Sequence, residues 1–390
     1  MLENFANDIA DRVIATIGSH NVPAALHEPR FTAEDVKSLV DCVESSFVSS
    51  VGPAISEVER KLGGIVGADY AVAVSSGTAA LQLALKVVGV QPGDEVLMPS
   101  LSFIATANAA TYLNAIPHFV DISDKTLGIS PEKMREYLSS AVIKKNTGVF
   151  SKASGRRIGA IVPVHIFGFP AEVGPICDIA AEFGIPVVED AAEALGSSIC
   201  GRMCGSFGVT SAVSFNGNKL VTSGGGGVVL TNDPKLEQQI RYLATTARSS
   251  HKWEFVHDEI GYNFRMPALN ASLLSPQLDR LNLTMEKKRS LAEAYQANFA
   301  DFEGGYILKK SEHAEPNYWL NCLVLNDEAL RYKNHILEQL HEAGILARPV
   351  WLPLHRQSPY RKAPKSNLDV TTKIFPRLIT LPSSPFLGRG

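Results

Sequence analysis

The chain has 390 residues, of which 45% are apolar and 20% are charged, the balance of an ordinary globular protein. This composition excludes a disordered or collagen-like chain, and the length allows one large domain with a smaller companion. The 37 basic and 40 acidic residues leave a net charge of −3, which gives no overall field for binding nucleic acid or an anionic membrane. Neither is expected as a partner, and any phosphate recognition must be local.

The chain has no run that approaches the ~18 consecutive apolar residues of a bilayer-spanning helix. Its first residues, MLENFANDIADRV, carry acids where a signal peptide would be basic. We therefore expect a cytoplasmic protein. The five cysteines are odd in number and scattered, which disfavours a disulfide framework, and the closest pair, Cys200 and Cys204, lacks the spacing of a zinc site. No metal is expected.

The predicted elements begin with residues 1–25, which are mixed in character and compatible with a short helix. A helix is predicted after Thr32, because TAEDVKSLVDCVESSF has apolar residues at helical spacing and two acids in its first turn. Short apolar runs typical of buried strands then alternate with runs typical of helices. Strands are predicted at 71–76, 94–100, 117–122, 159–166 and 185–190, and helices at 77–89, 103–114 and 171–184.

This alternation predicts an α/β fold in which a parallel sheet with right-handed crossovers carries helices on both faces. Past about residue 265 the pattern changes to a long helical region, a strand candidate at 318–327, a helix at 330–343 and a Pro-rich apolar strip at 345–355. We interpret residues 1–30 as an N-terminal arm, 31–265 as a large α/β domain and 266–390 as a smaller α+β domain.

Polar residues follow two of the predicted strands, at the edge where open α/β sheets bind ligands. The first strand leads into Gly77 and Thr78, which begin a helix and so present free backbone N–H groups suited to a phosphate, although both are also ordinary turn and cap residues. The strand at 185–190 ends in Glu189 and Asp190. A buried carboxylate there needs a positive partner, either a cofactor cation or a nearby arginine.

A third group lies between two later strand-like runs. Lys219 comes five residues after Ser214 and shortly before four glycines at 224–227. A lysine in such a loop is commonly a solvated charge, but the glycines permit the close approach of a planar or phosphorylated group. The glycines lead into a strand rather than a helix, so a dinucleotide-binding fingerprint fits poorly, and no P-loop motif is present.

These groups complement pyridoxal 5′-phosphate (PLP). PLP needs a phosphate anchor, a carboxylate that keeps its pyridine nitrogen protonated and a lysine amine that binds its aldehyde. The helix start at Gly77, the Asp190 carboxylate and the Lys219 amine match these needs in turn. The sequence therefore predicts a PLP enzyme in which Lys219 also moves the α proton of the substrate.

Several motifs resemble those of the DegT/DnrJ/StrS family of PLP-dependent sugar-nucleotide aminotransferases, which have fold-type I. They are EDAAEALG (189–196), SFNGNK (214–219), TSGGGG (222–227) and GYNFRMPALNA (261–271), and the resemblance extends from about residue 31 to PLHRQSPY. Within the family, SSVG (49–52), SFIATANAATY and VHDEIGYNFRMP most resemble the LegC-type branch. Its members aminate C4 of UDP-4-keto-6-deoxy-N-acetylglucosamine on routes to bacillosamine and legionaminic acid.

The resemblance implies a role for each matching residue around the cofactor ring. Lys219 would bind the aldehyde and shuttle the proton, Asp190 would pair with the ring nitrogen, and Phe103 would stack on the ring. Glu193 stands where many relatives have glutamine near the ring hydroxyl. Since an ionised carboxylate would repel the phenolate-like oxygen there, we predict a protonated or water-bridged Glu193.

At the phosphate end, the resemblance assigns the backbone amides of Gly77 and Thr78 and the hydroxyl of Ser214. Asn263 matches a residue that reaches the phosphate from the neighbouring subunit, which implies a homodimer with shared active sites. The expected amino donor is L-glutamate, which leaves as 2-oxoglutarate, and the expected acceptor is a UDP-linked keto sugar.

Four further residues are candidates for the substrate site: His165, Arg348, Trp351 and His355. For each of them, structural packing is the competing interpretation. Two other functions stay open: a non-catalytic regulatory or sensory module that binds PLP or a sugar nucleotide, and a nicotinamide oxidoreductase. Family members that dehydrate deoxysugars carry histidine in place of the lysine, so Lys219 argues against that activity.

Overall fold

The computed structural model describes residues 2–388, with side chains from residue 5 onward. The helices are α1 (Leu2–Ile17), α2 (Ala33–Glu44), α3 (Pro53–Val66), α4 (Gly77–Val87), α5 (Ala105–Thr111), α6 (Pro131–Ala141), α7 (Val173–Phe183), α8 (Pro234–Ala244), α9 (Ala268–Asp279), α10 (Leu281–Asn298), α11 (Asp327–Leu330), α12 (Lys333–Glu342) and α13 (Asp369–Ile374).

The strands follow the same chain order. They are β1 (Tyr70–Val74), β2 (Glu95–Pro99), β3 (Ile116–Val120), β4 (Val142–Lys145), β5 (Gly148–Ser151), β6 (Ile158–Ile161), β7 (Val188–Asp190), β8 (Ser198–Ile199), β9 (Arg202–Met203), β10 (Thr210–Ser214), β11 (Gly227–Thr231), β12 (Gly305–Ile307), β13 (Ala314–Glu315), β14 (Asn321–Leu325), β15 (Arg348–Pro349) and β16 (Leu378–Leu381). None of the helices in this part of the chain combines the length and the apolar character that a membrane crossing requires.

The main sheet has the strand order β1-β11-β10-β7-β6-β2-β3. Hydrogen-bonded pairing defines its two halves, and parallel bridges from Ile161 to Val187 and from Val164 to Asp190 connect β6 to β7. β11 is antiparallel to both of its neighbours, while the other strands run in one direction. The predicted α/β architecture with a mostly parallel sheet is therefore confirmed. The strand predicted at 159–166 ends early, at Ile161, shortly before Pro163, which has no N–H to donate.

The common strand direction positions the site. β1, β7 and β10 end at the same edge of the sheet, so residues that follow them in the chain come together there, although Gly77 and Lys219 are 142 positions apart. α4 begins directly after β1 and packs on β10 and β11. The predicted ligand edge is thus formed by a helix start and two strand ends.

The C-terminal part forms a second, smaller unit around the antiparallel sheet β12-β14-β16-β15. α1 packs against α10 and α12 in this unit, and its Ile9 and Val13 are fully buried there. Residues 1–30 were predicted as an arm, but α1 instead completes the core of the C-terminal unit. Its apolar residues recur on one helical face, and that face needs an apolar partner.

α9 also lies elsewhere than predicted. The sequence analysis placed residues from 266 onward in the small domain, whereas α9 packs against α2 and α3, and its Leu274 and Leu278 are buried with Val58 and Leu62 of the large unit. α10 then passes from this cluster to the C-terminal one. The change of pattern near residue 265 therefore marks a change in local structure and not the boundary between the two apolar cores.

An internal ion pair joins α2 to the turn between α9 and α10. Asp35 is fully buried, accepts the backbone N–H of Thr32 at 2.6 Å, and accepts Arg280 Nη2 at 2.9 and 2.8 Å through its two oxygens. We expect Asp35→Ala to lower the free energy of unfolding by about 3 kcal/mol, because it breaks a buried ion pair and a helix cap together. Glu34→Ala is the control: its exposed carboxylate lies 3.4 Å from the same arginine, and the loss should stay below about 1 kcal/mol. Chemical denaturation of both variants measures the difference, and equal losses would contradict the assignment.

Candidate active site

A cavity of about 340 Å³ opens at the carboxyl ends of β1, β7 and β10. The large unit provides most of its wall, and the C-terminal unit adds Trp319 and Trp351. Seven of the residues assigned to the cofactor in the sequence analysis line it together: Gly77, Thr78, Phe103, Asp190, Glu193, Ser214 and Lys219.

The phosphate end of the cavity is the first turn of α4. Ser76 caps this helix, since its Oγ accepts the N–H of Ala79 at 3.1 Å, and the free N–H groups of the first turn follow it. A Cβ on Gly77 would lie 2.6 Å from Ser214 Cβ. Only glycine therefore allows the helix start to approach the Ser214 hydroxyl this closely. N–H donors and a hydroxyl at a helix N-terminus form a favourable anion site.

We expect Gly77→Ala to raise the dissociation constant for PLP at least about tenfold, because the added methyl group must displace either Ser214 or the first turn of α4. Gly174→Ala is a matched control, since Gly174 is also in a first helical turn but a Cβ there meets no atom within 4 Å. Cofactor titration followed by absorbance measures both constants. If the two variants bind PLP equally well, the close packing at Gly77 does not shape the phosphate site.

Asp190 ends β7 and is only 7% exposed. Thr106 Oγ1 donates to Asp190 Oδ2 at 2.8 Å. The Ser102 hydroxyl oxygen lies 2.8 Å from Thr106 Oγ1 and extends this network. The backbone N–H of Ala192 donates to Oδ1 at 3.2 Å. Burial raises the pKa of Asp190, which these hydrogen bonds only partly offset. A cation that entered the cavity beside this carboxylate would remove the cost of its burial.

Lys219 lies opposite, in the loop after β10. Its Nζ is 3.3 Å from Glu193 Oε1 and 3.9 Å from the ring centroid of Trp319. Glu193 Oε2 accepts the backbone N–H of Phe167 at 2.9 Å. Burial raises the pKa of Glu193, while the nearby Lys219 charge opposes the rise. The predicted lysine therefore faces the cavity and is not a solvated charge.

His165, a candidate substrate residue, does not line the cavity. It is fully buried; its Nδ1 accepts the N–H of Ala171 at 3.0 Å, so Nε2 carries the proton toward Glu189 Oε2 at 3.1 Å. Glu189 also accepts backbone N–H groups of residues 205, 207 and 208. The carboxylate that was expected to need a cofactor or an arginine is thus satisfied by a histidine and main-chain donors, and His165 is a core residue behind β7.

The other substrate candidates lie at different distances from the cavity. Trp351 lines it, with its ring 5.9 Å from that of Phe103. His355 lies outside the lining, with Nδ1 2.6 Å from Ser100 Oγ. Arg348 is exposed on β15 and faces a separate groove beside α12, so the prediction that it borders the sugar site is not supported. Asn263 is exposed and outside the cavity of its own chain, where a residue that serves a neighbouring subunit would lie.

Thr106 and Trp319 are among the residues of the site that were missed from sequence. Thr106 holds Asp190, and a signal for it existed: it follows Phe103 by three residues and so shares one side of the helical segment. The sequence analysis did not single out Trp319, whose ring covers Lys219 and whose Nε1 donates to the carbonyl of Asn218 at 2.7 Å. No local pattern distinguishes such a tryptophan from a core residue.

The residues present fit PLP. The glycine-lined helix start offers donors to a phosphate, and Asp190 is a buried carboxylate that a ring cation would neutralise. The exposed face of Phe103 offers a stacking surface, and the Lys219 amine lies within the same cavity. When bound, PLP supplies an electron-withdrawing ring that stabilises the negative charge left after a substrate loses its α proton.

Comparison with known proteins agrees with this site. The model of the DegT/DnrJ/EryC1/StrS aminotransferase family matches residues 29–390. GDP-perosamine synthase of Escherichia coli O157:H7 is 31% identical over 365 residues, which are 93% of this chain and 94% of that protein.

Two solved structures show the same architecture. DesI, solved in the presence of its TDP-sugar product, is 27% identical with a TM-score of 0.81 and covers 95% of this chain and 91% of its own. Spr1654 from Streptococcus pneumoniae, solved in a PLP form, is 25% identical with a TM-score of 0.81 and covers 92% of each chain. The predicted fold-type I architecture and the PLP cofactor are confirmed, and the chain belongs to the DegT/DnrJ/EryC1/StrS family of aminotransferases.

Proposed function

We propose that this aminotransferase moves an amino group from L-glutamate to C4 of UDP-4-keto-6-deoxy-N-acetylglucosamine, in the synthesis of bacillosamine, a nonulosonic acid or another bacterial surface glycan. The observation that carries the proposal is the convergence of the Lys219 amine, the Asp190 carboxylate and the helix start at Gly77 on one cavity. The choice of UDP and of C4 rests on the resemblance of the motifs to the LegC-type branch. The relatives support a nucleotide-linked sugar but differ in the nucleotide: one is a GDP-perosamine synthase, and DesI was solved with a TDP-sugar product.

In this proposal each side chain has a task at a stated atom. The N–H groups of Gly77 and Thr78 and the Ser214 hydroxyl bind the phosphate, and Asp190 holds a proton on the ring nitrogen. Lys219 Nζ moves the proton between the substrate carbon and the cofactor. Phe103 and Trp351, whose rings lie 5.9 Å apart, form an aromatic wall on one side of the cavity.

We propose that the active form is a homodimer with shared sites. Lys219 is the only basic side chain among the described residues that line the cavity, where it faces two carboxyl groups. A cofactor phosphate, a dicarboxylate donor and a nucleotide diphosphate bring further negative charge, so additional donors must come from outside this chain. Asn263 is the residue we propose for the phosphate of the neighbouring site.

Exposed apolar side chains support the same assembly. On α2 they recur at helical spacing, and others lie on the hairpin before Asn263: Val36, Val40, Val43, Trp253, Phe255 and Ile260. Such a surface on a folded chain is typical of a subunit interface. We further propose that the enzyme works in the cytoplasm, in keeping with five cysteines that are all free.

The test is amination of a panel of nucleotide 4-keto and 3-keto sugars, with 2-oxoglutarate release measured for each. We expect stoichiometric 2-oxoglutarate with the UDP-4-keto sugar and at least about tenfold lower kcat/KM with the 3-keto compounds and other nucleotides. Sugar-nucleotide binding without turnover for any donor would instead indicate a regulatory module. Oxidation or reduction of added nicotinamide cofactor would indicate the oxidoreductase.

A further inference from the structure

The charged groups of the cavity do not balance once the cofactor is present. Among the described residues, Asp190, Glu193 and Lys219 are the charged side chains of its wall. Asp190 is proposed to pair with the ring cation, and Lys219 must give up a proton before its nitrogen lone pair can bond to the cofactor aldehyde. Glu193, only 7% exposed, is then left without a cation. Because an unpaired buried carboxylate is costly, this group has a strong reason to take up a proton.

The carboxyl group of Glu193 is held in place and not free to swing away. Its Oε2 accepts the N–H of Phe167 at 2.9 Å, which leaves Oε1 directed toward Lys219 Nζ at 3.3 Å. Phe167 has a φ of 57°, a conformation that residues other than glycine rarely adopt, and its side chain is buried. Asn317 Nδ2 fixes the main chain from the other side, donating to the Glu193 carbonyl at 2.8 Å. The contact between Oε1 and Nζ is therefore built into the fold.

The surroundings of Glu193 contain few other charges. Asp190 lies three residues earlier on the same turn, and Lys219 comes from the loop after β10, while Phe167 and Asn317 are neutral. Burial raises the pKa of Glu193, and the nearby negative charge of Asp190 adds to the rise. The Lys219 charge and the hydrogen bond from the Phe167 N–H lower the same pKa. Loss of the Lys219 charge would remove the main opposing influence.

We propose that Glu193 is the proton acceptor and proton store of Lys219. The N–H bond at Nζ breaks and leaves its electron pair on nitrogen, and the proton forms an O–H bond at Oε1. An ammonium and a carboxylate thus become a neutral amine and a neutral carboxylic acid, with no proton taken from solvent. The reverse transfer restores the ammonium when Lys219 is released. This inference rests on the proposed role of Lys219.

Infrared difference spectroscopy of protein labelled with ¹³C at the glutamate carboxyl tests the proposal, because the label separates glutamic acid from Asp190. Loading the wild type with PLP should produce one protonated glutamic acid per site. The band should be lost in Glu193→Gln and kept in Glu315→Gln, a control in which the exposed partner of Lys310 is changed. If PLP becomes fixed to Lys219 by borohydride and no such band appears, Glu193 stays ionised and the proposal is overturned. If PLP is not fixed there at all, the proposed role of Lys219 fails instead.

A second measurement needs no cofactor. In cofactor-free Lys219→Met, Glu193 has lost its cation and should already be protonated near neutral pH, which the wild type should not show. The double variant Lys219→Met, Glu193→Gln should lack the band. An unprotonated Glu193 in Lys219→Met would overturn the proposal, because the carboxyl group would then tolerate its charge without the amine.

Discussion

Lys219→Ala is expected to lower the rate of transamination by about 10⁴-fold or more, because in the proposed function one amine both binds the cofactor aldehyde and moves the proton. The variant should still fold, since the contacts of Nζ within the described part of the chain are those to Glu193 and Trp319. Borohydride should fix PLP to the wild type at Lys219 and leave the variant unlabelled. Peptide mapping after reduction identifies the position.

The matched control is Lys310→Ala, which removes an exposed lysine whose partner is Glu315. It should retain wild-type turnover and labelling, since exposed ion pairs contribute little. Turnover by Lys219→Ala at more than about a tenth of the wild-type rate would remove Lys219 from the proposed chemistry.

Asp190→Asn is expected to lower turnover at least about 10²-fold, because a neutral amide cannot keep a proton on the ring nitrogen. The amide fits the site: its oxygen can accept the Ala192 N–H, and the Thr106 hydroxyl can turn to accept from the new NH₂ group. The variant should therefore separate loss of chemistry from loss of folding.

Although Asp190→Asn should lower turnover, it should not lower the stability of the cofactor-free protein. Burial raises the pKa of Asp190, so the folded state favours its protonated form. The resulting stability is fully present below the unfolded-state pKa and is lost as pH rises through the folded-state pKa. At neutral pH the ionised Asp190 is thus a cost, and cofactor-free Asp190→Asn should be at least as stable as the wild type. This advantage should shrink as the pH falls toward about 4, where the unfolded carboxyl group also binds its proton.

Asp121→Asn is the control with the opposite expectation. Asp121 also follows a parallel strand and is buried, but Lys133, Val370 and Thr371 all donate to it. Burial alone would raise the pKa of Asp121, and these donors outweigh it and lower the pKa. The variant should be destabilised at neutral pH with PLP affinity unchanged. Thermal unfolding from pH 4 to 8 compares Asp121→Asn with Asp190→Asn, both without cofactor. If both variants are destabilised at neutral pH, the ionised Asp190 is not a cost to the cofactor-free fold.

Local pattern was sufficient for β1, β2, β3, α2, α4 and α7 of the large unit because each is specified by its own residues, whereas α3, α6 and α8 were not predicted. The buried runs that became β1, β2 and β3 are nearly continuous in apolar residues, as strands covered on both faces must be. The helix after Thr32 begins as predicted, because its cap and first-turn acids lie within four residues of one another. Packing partners were less predictable: nothing local shows that α1 belongs with α10 or α9 with α2.

The same distinction applies to the site. The order of residues specifies which chemical groups follow the strand ends, and the common strand direction places Gly77, Asp190 and Ser214 at one edge. Only the packing of distant segments places Trp319 over Lys219 and leaves His165 and Arg348 outside the cavity. Those outcomes depend on contacts between segments that are distant in the chain, whereas the strand-end groups follow from the local order of residues and the parallel sheet.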